Sequence, residues 1–160
     1  MSIEKVRAYF KEQGIEARVR EFEVSSATVE LAAAALSCEP CRIAKTLSFM
    51  VDGAPILIVA AGDAKVDNPR YKAQFSTKAK MLTPDEAVSL IGHAVGGVCP
   101  FAVNEGVTVY LDESLKRFDT VFPACGSSNS AIELTIAELE RYARPTAWVD
   151  VCKAWREEEV

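Results

Sequence analysis

Apolar positions change period several times along the chain, and each change marks an element. Ile3, Val6 and Tyr9/Phe10 recur at helical spacing, and Gly14 is placed to end that helix. Ala17 to Val24 alternates apolar with charged residues, which predicts a half-buried strand broken by Ser25-Ser26. From Thr28 to Leu36 the alanines give strong helix propensity with small side chains, suited to close packing on a sheet. That helix should run out near Cys38-Glu39-Pro40, because a residue before proline disfavours the helical region. A hairpin follows: Thr46 to Val51 and Ile56 to Ala61 are β-rich, with Asp52-Gly53 as the turn. Its second strand is apolar on both faces, which predicts a central position.

Gly62 to Pro69 reads as loop and Arg70 to Phe75 as a short helix. Thr83-Pro84-Asp85-Glu86 is a helix start, with a capping threonine, proline at the first position and acids in the first turn. Ala87, Val88 and Ile91 are its predicted inner face, and Gly92 its end. Val107 to Leu111, Thr120 to Pro123 and Ala131 to Leu134 read as strands, the first two separated by the charged segment Asp112 to Arg117. Thr135 with Glu138 forms a capping box for a helix through Tyr142, and Thr146 to Val149 closes the pattern as a short strand. Helices and strands intermix without regular alternation. The expected class is mixed α/β, with a curved, largely antiparallel sheet or partial barrel flanked by helices.

At 160 residues the chain fits one domain, residues 1–160, long enough to bury a core without staples. No apolar run approaches the roughly 20 residues of a membrane span, and the start lacks a signal-peptide layout, so a cytoplasmic protein is expected. The net charge of −5 argues against broad binding of duplex DNA. A local basic face is compatible with it: Lys65, Arg70, Lys72, Lys78 and Lys80 share one span, while acids gather elsewhere, notably Glu157-Glu158-Glu159. The five cysteines are scattered, unlike a secreted disulfide framework. Cys38-Glu39-Pro40-Cys41 has the spacing of a redox or zinc half-site, but no second pair completes a zinc site, so reduced, partly buried thiols are expected.

Two stretches carry the candidate chemistry. Lys45 lies in an apolar context between Ala44 and Thr46, where a lysine either snorkels to the surface or serves a site. Gly92-His93-Ala94-Val95-Gly96-Gly97-Val98-Cys99-Pro100-Phe101 is a glycine-rich bend closed by proline. It is either a tight turn or a loop whose N–H groups face a ligand oxygen. Cys125-Gly126-Ser127-Ser128-Asn129-Ser130 is a similar polar bend. His93 is the single histidine, so a metal centre or a Ser-His-Asp triad is not expected. No serine shows the nucleophile-elbow pattern. Binding and backbone electrostatics are the chemistry these residues suggest.

Taken together, the Ile43-to-Phe49 stretch, Gly62-Asp63-Ala64-Lys65-Val66-Asp67, the bend at 92–101, Val109-to-Leu115 and Ala124-Cys125-Gly126 resemble the YbaK/EbsC family of aminoacyl-tRNA deacylases over about Thr28 to Leu139. The resemblance implies a free-standing editing domain, similar to the one inserted in bacterial prolyl-tRNA synthetases. Such proteins cleave the ester joining a wrong amino acid to tRNA, typically tRNA for proline. They act as the second sieve that a synthetase pocket needs against near-isosteric amino acids. It implies that Lys45 is the functional residue and that Gly96, Gly97, Val98, Pro100 and Phe101 shape the aminoacyl pocket. It also implies that Thr46, Gly126 and Ser127 face substrate, with Phe22 and His93 as further candidates. The implied partners are the 3′ acceptor end of aminoacyl-tRNA and prolyl-tRNA synthetase, with no cofactor and no metal. A non-catalytic tRNA- or synthetase-binding module and a small-ester hydrolase remain as alternatives.

Overall fold

The computed structural model describes residues 2–156, so the acidic run Glu157-Glu158-Glu159 lies outside the described residues. In chain order the elements are α1 (Ser2–Glu12), β1 (Arg20–Glu21), α2 (Val29–Leu36), β2 (Ile43–Val51), β3 (Ala54–Ala61), β4 (Lys65–Val66) and α3 (Asn68–Phe75). They continue with α4 (Pro84–Glu86), β5 (Thr108–Asp112), β6 (Thr120–Pro123), β7 (Ser130–Ala131), β8 (Leu134–Thr135), α5 (Ile136–Ala143), β9 (Ala147–Val149) and β10 (Cys152–Lys153).

Six strands form one sheet in the order β8-β6-β2-β3-β5-β9, curled into half a barrel and flanked by helices. The class is mixed α/β, as expected. Antiparallel pairing governs the β2–β3 hairpin and the short β6–β8, β1–β7 and β4–β10 ladders. The β2–β6, β3–β5 and β5–β9 pairings are parallel. The hairpin turn places Asp52 (φ 49°) and Gly53 (φ 78°) in the left-handed region, as a two-residue turn between twisted strands requires. As its composition predicts, β3 is central: Ile56 to Ala61 are all buried, between β2 and β5.

Two apolar layers fill the faces of the sheet. In the larger, Phe10 of α1 meets Phe101 (centroids 4.8 Å apart), and Tyr71 of α3 meets Phe49 of β2 (5.2 Å). In the smaller, Ala32, Ala33 and Leu36 of α2 pack on Ile43, Phe122 and Ala131. The alanines let this helix lie close to the sheet, which is the use their size predicts.

Three sequence-based expectations change. The strand expected over Ala17–Val24 shrinks to the two residues of β1, preceded by a 3₁₀ turn over Glu16–Arg18. Its alternation buries Val19, while its charges form ion pairs, Arg7 with Glu21 (2.7 Å) and Arg18 with Glu138 (2.7 Å). The segment Ala131–Leu134 splits: β7 pairs with β1, and β8 with β6. The helix begun at Thr83 has the predicted capping threonine, which forms a capping box with Glu86, but widens after one turn into a π turn over Ala87–Ile91. Ala87 and Ile91 are buried; the wider turn rotates Val88 off the inner face, leaving it 54% exposed.

Candidate active site

β2 begins at Ile43 rather than Thr46, because β6 pairs with Ile43 and Ala44. Lys45 and Thr46 therefore sit inside a strand with fixed backbone. They line a cavity of about 260 Å³. Around it stand the start of α2 with the preceding Ser26 and Ala27, Phe122 and Ala124 at the end of β6, Met81 and Leu82, and Val95, Gly96 and Val98 of the glycine bend. Val95 and Met81 are 65% and 60% exposed, an apolar lip on this mouth.

The Lys45 ammonium donates to the carbonyls of Ala64 and, at 3.4 Å, Gly62. Burial is the main cause that lowers its pKa from the ordinary lysine value. Asp63, whose charge acts in the opposite sense, is gripped by Arg117 at 2.6 and 2.9 Å. Lys45 is thus half-buried, held by carbonyl dipoles and without an ion-pair partner among the described residues, so it keeps an uncompensated positive charge beside the cavity. The loop that holds it is itself pinned. A Cβ on Gly62 would stand 2.0 Å from the Pro40 carbonyl oxygen and 2.8 Å from a Val29 methyl. Next to Lys45, the Thr46 hydroxyl is buried and has no hydrogen-bond partner. Such an orphaned group costs free energy and asks for an explanation, of which a ligand is one.

The two glycine bends pack back to back. A Cβ on Gly97 would lie 2.7 Å from the Ser127 nitrogen and 2.8 Å from the Gly126 carbonyl carbon, so the backbones touch where side chains would separate them. Gly96 (φ 94°) faces the cavity. Gly97, Gly126 and Ser127 instead border a second hollow of about 640 Å³, with Ser2 and Lys5. The Gly97 N–H is already engaged by the Ala94 carbonyl at 3.0 Å, and the Ser127 hydroxyl by Asn129 (2.9 Å) and Ser130 (2.7 Å).

Of the residues singled out from sequence, Lys45, Thr46, Gly96 and Val98 meet at one cavity. Pro100 and Phe101 are buried, Phe101 within the main core, and Phe22 packs against the α2 layer with its carbonyl bonded to Asn129 at 2.9 Å. His93 is also buried. Its Nε2 lies 2.8 Å from the Phe101 carbonyl, which makes Nε2 the protonated nitrogen, and burial lowers its pKa, so the ring is neutral and braces the bend from behind. Ser26, Ser48, Met81 and Val95 line the cavity but were not singled out. Ser25-Ser26 reads locally as a chain break, and nothing local marks the other three. The lining has no acid, histidine or cysteine. It offers a cation, hydroxyls, backbone and apolar surface, which can bind and polarise an acyl group. Among the described residues no group of three His, Cys, Asp or Glu is placed to hold a metal, and no helix is long and apolar enough to cross a membrane.

Residues 23–142, which hold both walls of this cavity, fit the sequence pattern of a known class: the chain belongs to the aminoacyl-tRNA editing domain family. Over 156 residues it is 54% identical to the uncharacterized protein YwhH of Bacillus subtilis (strain 168), covering 97% of this chain and 99% of that one. It is also 29% identical over 102 residues to the proline--tRNA ligase of Geobacillus sp. (strain WCH70), covering 63% of this chain but 18% of the ligase. A solved structure provisionally described as a trans-editing enzyme for prolyl tRNA synthetase superimposes with a TM-score of 0.85 at 27% identity, covering 95% of this chain and 97% of that one.

Proposed function

We propose that the protein is a single free-standing editing domain that hydrolyses the ester of mischarged aminoacyl-tRNA in trans, with tRNA for proline as the carrier. The observation that carries this reading is the pairing of Lys45 and the orphaned Thr46 hydroxyl with Gly96 around one cavity. At about 260 Å³ the cavity suits an amino acid and its ester, below the range of about 300–1,000 Å³ common for larger ligands.

In this reading Lys45 takes the terminal nucleotide or the ester carbonyl, and the developing oxyanion rests on the bend at Gly96 and Val98, the members that line the cavity. The attacking group is water positioned by the substrate itself, or the substrate's own thiol where cysteine is carried, because the lining has no acid, histidine or cysteine and the Lys45 amine is engaged by carbonyls. The tRNA meets a basic strip. Lys65, Lys72, Lys78 and Lys80 are exposed and without ion pairs among the described residues, in contrast to Arg7, Arg18, Arg42 and Arg117, which are matched to acids. The strip runs along the chain from the loop that holds Lys45 to Met81 at the cavity mouth. Such a protein works in the cytoplasm, where charged tRNA is found, with prolyl-tRNA synthetase as its functional partner.

The test is a deacylation panel of tRNA(Pro) charged with alanine, cysteine, serine or threonine. Turnover of at least one, lost in Lys45→Ala, is the expected result. Tight binding of all four with no ester cleavage would leave a regulatory tRNA-binding module in its place.

A further inference from the structure

β2 has two neighbours along one edge and a gap between them. The Val51–Ala54 pair closes the hairpin, so the odd-numbered residues of β2 exchange hydrogen bonds with β3. The even-numbered residues turn their N–H and C=O to the other edge. Three features agree with this phase. Pro55, which has no N–H, stands opposite Met50. Met50 donates to the Lys80 carbonyl at 2.9 Å, and Ser48 accepts from the Leu82 N–H at 3.1 Å. Toward the strand's start, Ala44 is in register with Pro123 of β6. Thr46 falls between these two neighbours. Its main-chain N–H and C=O point to the same edge, and no bond from a described residue reaches either. Both flanks of the gap, Ala124 past β6 and Leu82 past the 80s segment, line the cavity.

We propose that this exposed peptide edge at Thr46 is the anchor for a free α-aminoacyl unit. An α-aminoacyl ester carries an ammonium and a carbonyl on either side of one carbon. That is the spacing of N–H and C=O in an extended residue, so it can dock as a strand one residue long. The ammonium donates to the Thr46 carbonyl, and the ester carbonyl accepts from the Thr46 N–H, keeping a second lone pair for the glycine bend. This contact reads the amino-acid backbone and is blind to the side chain, which leaves side-chain choice to the cavity walls. The class recognised is the unblocked α-aminoacyl group, and simple acyl esters lack the donor. The inference rests on the editing reading above, since that reading supplies the aminoacyl end.

Backbone amide exchange followed by NMR tests it on the whole chain, with 3′-(L-alanylamino)-3′-deoxyadenosine as a stable amide probe and its propionyl counterpart as the control. In the free protein the Thr46 amide should exchange at least about tenfold faster than those of Lys45 and Leu47, which are tied to β3. Saturation with the alanyl probe should slow it by about tenfold or more, and the propionyl probe should bind at least about tenfold more weakly. Slow Thr46 exchange in the free protein, or equal affinity for the two probes, overturns the anchor. Resonance shifts at Lys45 and Gly96 with unchanged Thr46 exchange remove the anchor but leave the editing site standing. If neither probe shifts any cavity residue, the aminoacyl reading of the cavity fails and the anchor goes with it.

Discussion

The two walls of the cavity are built on opposite plans. On the strand wall, Lys45 and Thr46 owe their positions to regular pairing with Ala60 and Val59 of β3, and what they bring to the cavity is functional groups. On the loop wall almost no functional group is presented. Gly96 is there because its backbone is left-handed (φ 94°), and Gly97 because another loop touches it. One wall places chemistry on a rigid ladder, and the other sets shape by leaving side chains out. Substitutions in the first should therefore alter rate or affinity with little change in stability. Those in the second should alter stability and activity together.

The sharpest separation comes from Lys45→Ala. Loss of a preorganised charge beside the acyl group should lower deacylation about 100-fold or more, with a thermal midpoint near that of the parent. A large drop in the midpoint instead would mean that the lysine is a packing residue. Gly97→Ala is the counterpart. Its methyl would enter the space 2.7 Å from the Ser127 nitrogen, so urea denaturation should show a loss of roughly 1–3 kcal/mol with falling activity. Full stability in that variant would break the contrast.

Thr46→Val removes the orphaned hydroxyl at almost constant volume. KM should rise by about tenfold while stability holds or improves, because a buried unsatisfied group has gone. The opposite pattern, unchanged KM and a less stable fold, would assign that hydroxyl to the scaffold.

The pH dependence follows from Lys45. Its pKa is lowered by burial, so it is charged below the lowered value and neutral above it. Affinity for the propionyl probe, whose acyl group carries no amine of its own to titrate, should be full below the folded-state pKa and fall as pH rises through it, before the ordinary lysine value of about 10.4. Folding stability moves the other way: charging the half-buried amine penalises the fold at lower pH, and that penalty fades as pH climbs through the same window. In Lys45→Arg the alkaline loss of affinity should vanish. The smallest effect belongs to the strip outside both walls. Lys78→Ala with Lys80→Ala should weaken tRNA binding a few-fold and flatten its dependence on salt by about two phosphate contacts, measured by filter binding. Unchanged salt dependence would place the tRNA elsewhere.

Legibility in the sequence followed the same division. The capped start at Thr83, the capping box at Thr135 and Glu138, the Asp52-Gly53 hairpin and the central β3 are encoded by neighbours in the chain, and all are present. Lys45 stands out because a charge interrupts an apolar run, whereas Thr46 is reached only through the family resemblance. Which glycine faces the cavity was not readable, since what separates them, a left-handed backbone at Gly96 and the distant Gly126 loop against Gly97, is not marked by their neighbours in the chain. Nor was Val88, whose exposure depends on a π turn that brings the Gly92 N–H to the Ala87 carbonyl at 3.1 Å. The split of the 131–134 segment likewise follows from two different strands competing for it, β1 and β6.

Gly62 gives the cation a vulnerability at a distance. The two carbonyls that steady the Lys45 amine belong to a segment wedged under Pro40, with no room for even one methyl. An alanine there would lever that segment away and let the amine swing free into solvent. Its basicity would drift back toward that of a free side chain, and its aim at the acyl group would be lost. A change that adds one carbon and alters no charge would then masquerade, in an assay, as damage to the lysine itself.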